Sequence, residues 1–287
     1  MCLAEARPAV QLMFLLRYAC GAALALGAGH IPVLRIAAGA IAWECTIVFV
    51  YLFNGVMDIK EDQVNQSRRP IAAGRLSQAV ALRVAAAAVL AALAAGFALG
   101  PAFGFLVAVM LVLGYFYSGR PLYLKRGVVT GGLTGCLGGL LTYLAGRAAV
   151  GAPLLTSTSV VFAVVMSLWI GLVGSITKDL PDMAGDAAAG RRTAALMFGQ
   201  ARARLAAAGA ALAVGTAFLA AALAAGRVLV WPALTLDCGA VAVAAVTVPR
   251  WSAGSPASRR RPYRAFMVSQ YAAHFALLAV LAYNRWA

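Results

Sequence analysis

The chain has 287 residues, of which 63% are hydrophobic and only 11% charged, with 24 Lys and Arg against 9 Asp and Glu for a formal net charge of +15. That apolar share exceeds the composition of an ordinary soluble domain and points to lipid as the solvent. The cations sit between apolar runs rather than on one polar face, so no nucleic-acid partner is expected.

Apolar runs long enough to cross a bilayer as helix, about 20 residues each, occur at 9–27, 33–53, 78–99, 101–118, 127–146, 155–177, 205–225, 228–248 and 264–283. Continuous Ala, Leu and Val favour helices, which satisfy their own backbone hydrogen bonds, over the alternating pattern of a membrane barrel. The expected fold is therefore all-α and polytopic, a single integral-membrane domain over 1–287 with nine transmembrane helices. Gly100-Pro101 divides the third helix from the fourth. The first run carries Arg17 and no small-residue cleavage site, so it reads as a span and not as a signal peptide. With the N-terminus inside, the outer segments hold only Arg147, Arg227 and Arg285, while the inner ones hold most of the remaining cations. That asymmetry is the positive-inside pattern of an odd number of spans.

Six of the nine acids lie in two inner stretches, "NGVMDIKEDQVNQSRRP" at 54–70 and "TKDLPDMAGDAAAGRRT" at 177–193. They belong to inner loops read as 54–77 and 178–204, with a further one at 117–126. Asn54, Asp58 and Asp62 recur at i, i+4 and i+8, one helical stripe if the second span continues past residue 53. Carboxylates at this spacing repel, so a compensating cation is expected. The plain alternative is a solvated loop whose acids pair with Lys60, Arg68 and Arg69. Asp179, Asp182 and Asp186 recur at i, i+3 and i+7, again at the inner end of a span and again followed by paired arginines. Pro181 suits the first turn of a new helix and would leave Asp179 just outside it. The recurrence suggests two similar halves, each with an acidic mouth. Two facing carboxylate clusters suit Mg²⁺, which takes oxygen ligands, keeps several waters and shares its coordination with substrate phosphates. A diphosphate is the ligand such a pair lacks.

Other features read as structural. Cys2, Cys20, Cys45, Cys136 and Cys238 have no metal-ligand spacing and are expected as small buried hydrophobes. His30 and His274 are too far apart in sequence to suggest a metal pair. Glycines at 131, 132, 135, 138 and 139 are spaced for close helix packing. The run "SRRRPYR" at 258–264 reads as an anchor for anionic headgroups.

The two acidic stretches carry a resemblance. Asn54, Asp58 and Asp62 look like the NxxxDxxxD motif of the UbiA superfamily of intramembrane prenyltransferases, and Asp179, Asp182 and Asp186 resemble its second motif in the tighter DxxDxxxD form. That form, with "NQSRRPIAAGRLS", "YSGRPLYLKR" and "KDLPDMAGDAAAGRRT", is similar to the branch of homogentisate prenyltransferases and chlorophyll synthases. Arg120 departs from the YSxPP pattern of that branch. The resemblance implies nine helices around a central cavity and a Mg²⁺-dependent reaction in which an allylic prenyl diphosphate ionises and its carbocation alkylates an aromatic acceptor. Asn54, Asp58, Asp62, Asp179, Asp182 and Asp186 would hold Mg²⁺, with Asp58 and Asp182 essential to turnover. Lys125, Lys178, Arg68 and Tyr117 are the candidates for diphosphate contact, and the isoprenoid tail would lie among apolar helices open to membrane lipid.

Glu44 lies ten residues before Asn54, about 15 Å deeper along a helix. Glu44, Tyr51 and Asp58 repeat every seven residues on one face, so Tyr51 is a candidate substrate contact. An intramembrane carboxyl usually faces a cavity or a partner, so Glu44 would orient the acceptor or receive the ring proton. Its structural alternative is an ion pair with Arg17 or a protonated carboxyl; Asp237, also mid-span, reads as structural. Three other activities share parts of the pattern: a membrane terpene cyclase, prenyl transfer to a lipid or porphyrin-like alcohol, and a transporter. A transporter would place its acids at mid-depth, whereas most acids here lie at one face. The expected location is a bacterial cell membrane, with the active site open to the cytoplasm.

Overall fold

In the computed structural model, residues 1–26, 31–225, 227–252 and 254–286 are described, and His30 lies outside them. Among the described residues there is no strand, only an isolated bridge between Gly127 and Arg192. Among the described residues, eight helices are long and apolar enough to cross a membrane. The first expected span, 9–27, appears as a 16-residue helix, Pro8–Ala23. At 1.5 Å per residue that is about 24 Å, short of a bilayer core of about 30 Å. The expected nine spans are thus eight of full length and one shorter helix, the end of whose predicted run lies outside the described residues.

The chain divides into two compact units, residues 1–125 with 141–154, and residues 126–140 with 155–287. Unit 1 contains α1 (Cys2–Glu5), α2 (Pro8–Ala23), α3 (Val33–Met57), α4 (Ile59–Val64), α5 (Gln78–Leu99), α6 (Pro101–Ser118) and the C-terminal part of α7 (Val128–Ala149). The Ser77 hydroxyl caps α5 by accepting from the Val80 amide at 3.3 Å. Ala81, Ala85, Ala88, Ala92 and Gly96 form the buried face of α5, which packs on α3, while Leu82, Leu90 and Phe97 face outward. Small residues inside and large ones outside is the pattern of helices packed in lipid, where close backbone approach replaces the hydrophobic effect as the source of contact. Gly100, at φ +135°, ends α5, and Pro101 opens α6 at a position that needs no amide donor. Arg35 donates to the terminal carbonyls of two helices, Leu99 at 2.5 Å and Ala149 at 2.6 Å. These are groups a helix leaves without an internal partner. Helices α2 and α7 meet at reciprocal notches: a β-carbon at Gly21 would run into the Tyr143 backbone, and one at Gly146 into the Tyr18 backbone.

Unit 2 contains the N-terminal part of α7 and a span built of α8 (Ser157–Leu168), a π-helical turn (Trp169–Gly174) and α9 (Ser175–Asp179). It continues with α10 (Met183–Ala188), α11 (Ala194–Phe198), α12 (Gln200–Ala225), α13 (Val230–Thr247), α14 (Pro249–Ser252), α15 (Pro256–Arg259) and α16 (Arg261–Trp286). Of the α7 glycines expected to pack closely, Gly132 and Gly139 do so: a β-carbon at Gly132 would stand 2.8 Å from the Gly171 carbonyl, and one at Gly139 2.6 Å from Ile170. Ala203, Ala207, Ala211, Val214, Phe218 and Ala222 form the buried stripe of α12. His274 is fully buried, with Nδ1 2.6 Å from the Gln270 carbonyl and its ring edge-on to Phe162. All five cysteines are free, but only Cys20 is buried; Cys238 is exposed on α13, where a thiol meets lipid as readily as core.

Candidate functional site

In unit 1 the stripe of Asn54, Asp58 and Asp62 continues through a seam instead of one helix. α3 ends at Met57, Asp58 takes φ −97°, ψ 7°, and α4 resumes at Ile59. The amides of Asp58 and Asp62 still donate to the carbonyls of Asn54 and Asp58 at 2.9 and 2.8 Å, so helical spacing survives the seam. Of the three cations of the plain alternative, Arg69 does pair with the motif, and Lys125, which that alternative did not include, joins it. Lys60 and Arg68 are exposed, whereas Asp58 is paired with Lys125 and Asp62 accepts from Arg69 Nη1 at 2.9 Å. Lys125 is buried and stands over the Tyr123 ring at 5.2 Å; Tyr123, at φ +45°, donates its hydroxyl to Glu61 at 2.7 Å. A left-handed aromatic residue is costly, and such backbones concentrate at functional sites. Asn54 donates through Nδ2 to Ser118 at 2.9 Å, which leaves its carbonyl oxygen as the group a metal would use. Tyr117 is half-buried at the end of α6.

Deeper on α3, Glu44 is half-buried and its Oε1 has no hydrogen-bond partner. The expected alternative pairing with Arg17 is not formed: that guanidinium lies over the Phe14 ring at 5.1 Å and hydrogen-bonds Tyr143. Tyr51 packs edge-on against Phe14, with ring centroids 6.3 Å apart.

In unit 2 the second motif bends. Asp179 is the last residue of α9, and Pro181 lies in the bend before the cap, not in the first turn expected for it. Proline's fixed φ and missing donor suit that exit as well as they suit a helix start. Asp182 is the N-cap residue of α10, and Asp186 lies within it. Each acid meets a cation: Lys178 donates to Asp179 at 2.7 Å, Arg260 stands 3.6 Å from Asp182, and Arg191 stands 3.1 Å from Asp186. Arg260 comes from the run read as a headgroup anchor, a role that hid its pairing. Asp186 Oδ2 is buried without a hydrogen-bond partner. Burial and, after it, the charge of Asp179 push its carboxyl up to about 7, against the pull of Arg191 and Lys178.

Among the described residues, no three His, Cys, Asp or Glu side chains come together to enclose a metal by themselves. Mg²⁺ does not require such a cage, since it binds through one or two carboxylates with waters and substrate phosphates. The buried, unpartnered oxygen of Asp186 and the all-oxygen donor set of both motifs fit that ion.

These features define a class: a polytopic α-helical integral membrane protein that gathers carboxylates and cations in the loops at the ends of its spans. The chain matches the UbiA prenyltransferase family over residues 14–284 and belongs to it. It is 37% identical over 160 residues to the chloroplastic homogentisate solanesyltransferase of Arabidopsis thaliana, a match covering 54% of this chain and 42% of that one. It is 30% identical over 153 residues to the homogentisate phytyltransferase of Synechocystis sp., covering 50% of each. The match thus spans half or less of the length of these relatives. A UbiA homologue from Archaeoglobus fulgidus, solved bound to GPP and Mg²⁺, superposes with a TM-score of 0.72 at 20% identity, over 97% of this chain and 99% of that one. A homologue from Aeropyrum pernix K1 gives 0.64 at 18% identity, over 93% and 96%. Both likenesses concern the fold.

Proposed function

We propose that the protein transfers a prenyl group from an allylic prenyl diphosphate to an aromatic, phenol-like acceptor, with Mg²⁺ as cofactor and residues 1–287 acting as one catalytic domain. The observation that carries this reading is the interleaving of opposite charges: Asp58 with Lys125, Asp179 with Lys178, Asp182 with Arg260 and Asp186 with Arg191. Acids alone suit a metal and cations alone suit an anion; their alternation suits a metal–diphosphate pair, with carboxylates on the metal and Lys or Arg on phosphoryl oxygens.

In this reading Asn54, Asp58, Asp62, Asp179, Asp182 and Asp186 hold Mg²⁺, which supplies neutralisation of the charge that gathers on the diphosphate as the allylic C–O bond breaks. Lys125, Lys178, Arg68 and Tyr117 bind diphosphate oxygens. Tyr51 and the apolar faces near it keep water from the carbocation. Glu44 orients the acceptor or takes the proton released when the ring regains aromaticity, a role its unpartnered oxygen supports. The excess of cations on the inner segments favours a site open to the cytoplasm, and the richness in Ala, Gly and Arg favours a bacterial cell. Relatives named for homogentisate make that phenol the first acceptor to try.

The test gives membranes containing the protein geranyl, farnesyl or geranylgeranyl diphosphate, with and without phenolic acceptors, in Mg²⁺ or in chelator, and reads products by mass spectrometry. A prenylated phenol formed only with Mg²⁺ is expected. Asp58→Ala and Asp182→Ala should each abolish it, by roughly a hundredfold or more, while the protein stays monodisperse in detergent. Release of pyrophosphate with a hydrocarbon or terpene alcohol and no adduct would make the protein a cyclase. Lack of release under every condition would return the question to transport.

A further inference from the structure

Glu5 and Arg69 belong to neither acidic motif, yet both are buried in unit 1. Glu5 closes α1; its Oε1 stands 2.7 Å from Arg69 Nε, and its Oε2 accepts from the Ile71 amide at 2.9 Å. The other nitrogens of Arg69 reach Asp62 Oδ2 at 2.9 Å and the Tyr51 carbonyl at 3.2 Å. Glycine at residue 55 leaves room for this junction, since a β-carbon there would run into Glu5 Oε1 and stand 2.7 Å from Arg69 Nη2, so that these side-chain ends would have to shift. Cys2 packs on Ile71, Leu76 and Ala81, so α1 is tied to the loop after the first motif by apolar contact as well as by charge.

We propose that Glu5 is a positioning residue for Asp62, acting through Arg69, so that α1 straps the last carboxylate of the first motif in place. One guanidinium shared between two carboxylates fixes both and fully neutralises neither. Asp62 therefore keeps negative charge for a divalent cation while its rotamer is held. With Glu5 uncharged, Arg69 becomes a whole counter-ion for Asp62 and competes with the metal. The inference rests on the metal-binding reading above.

The experiment measures Mn²⁺ binding by electron paramagnetic resonance on the full chain in detergent with inorganic pyrophosphate, without turnover. Glu5→Gln keeps the size and the acceptor for the Ile71 amide but removes the charge. It should weaken Mn²⁺ binding about tenfold, the usual scale for groups that orient a metal ligand. Gly55→Ala, which displaces the same junction without changing a charge, should weaken it likewise and carries the test if Glu5→Gln does not fold. In an Asp62→Asn background Glu5→Gln should add little. Arg35→Gln, which removes the bonds to Leu99 and Ala149, should lower the melting temperature and leave Mn²⁺ affinity unchanged. If Asp62→Asn weakens binding but Glu5→Gln and Gly55→Ala do not, or if the losses add in full, the strap is overturned. If the wild type binds no Mn²⁺, the metal reading falls and the strap with it.

Discussion

Asp186 shows what burial does to a single carboxyl. It is 3% exposed, one oxygen lacks a hydrogen-bond partner, and its pKa rises from 3.8 to about 7. A carboxyl whose folded pKa exceeds its unfolded one binds the proton more tightly when folded, so stability falls as pH climbs from about 4 to about 7 and the full penalty persists above. In chelator, Asp186→Asn should therefore raise the melting temperature at pH 8 by a few degrees and change it little at pH 4.5, as read by thermal unfolding in detergent. Some of this was legible in residue spacing: Asp179, Asp182 and Asp186 recur at helical intervals, although the chain bends between the first two. The partners were not legible. Lys125 was visible as a loop cation, but not its pairing with Asp58, 67 residues away. Arg68 and Arg69 are adjacent and chemically alike; the fold buries the second and exposes the first. Glu5 stands alone before the first span, with no periodic companion to mark it.

Among the elements, glycine spacing told most and helix ends told least. The run at 131–139 marked close packing in advance, whereas Gly21 and Gly146, which let α2 and α7 approach backbone to backbone, carried no such spacing. Gly146→Leu should cost about 1–3 kcal/mol of stability, the usual range for overpacking, seen as a lower melting temperature in detergent, whereas Leu at Gly151, whose β-carbon would meet nothing within 4 Å, bears only its own backbone strain at φ +70°. The break at Gly100-Pro101 could be read directly because both residues stop and start helices by covalent geometry. The inner loop read as 178–204 instead carries α10 and α11, and α12 begins at Gln200. The π turn had no periodic signal of its own; Gly132 and Gly139 of α7 pack against it. Such a turn holds one residue more than an α-helical turn. Deleting one residue within 170–173 should therefore turn the π segment into regular α-helix and leave the facing of Lys178 and Asp179 nearly unchanged, whereas a deletion within α8 (Ser157–Leu168) would rotate both by about 100°.

For the whole molecule, the exposed large side chains decide the solvent. Leu34, Leu90, Phe105 and Val129 are each at least 65% exposed, an apolar surface that water does not tolerate over such an area. Orientation is then a question of charge. A single cysteine at position 190 should be labelled by an impermeant maleimide only after cells are opened, and one at position 151 in intact cells; the reverse pattern would invert the topology. The number of spans was nearly legible because chain length and apolar runs bound it. The division into units was not, because it depends on which parts of α7 each unit claims. Unit 1 takes residues 141–154 and leaves 126–140 to unit 2. The two are therefore interleaved along the chain: unit 1 is complete only at residue 154, after unit 2 has begun at residue 126. A nascent chain ending at residue 125 has Gly21 without Tyr143 and Arg35 without the Ala149 carbonyl. The first-made half must wait, partly assembled in the bilayer, for a stretch translated after the second has begun.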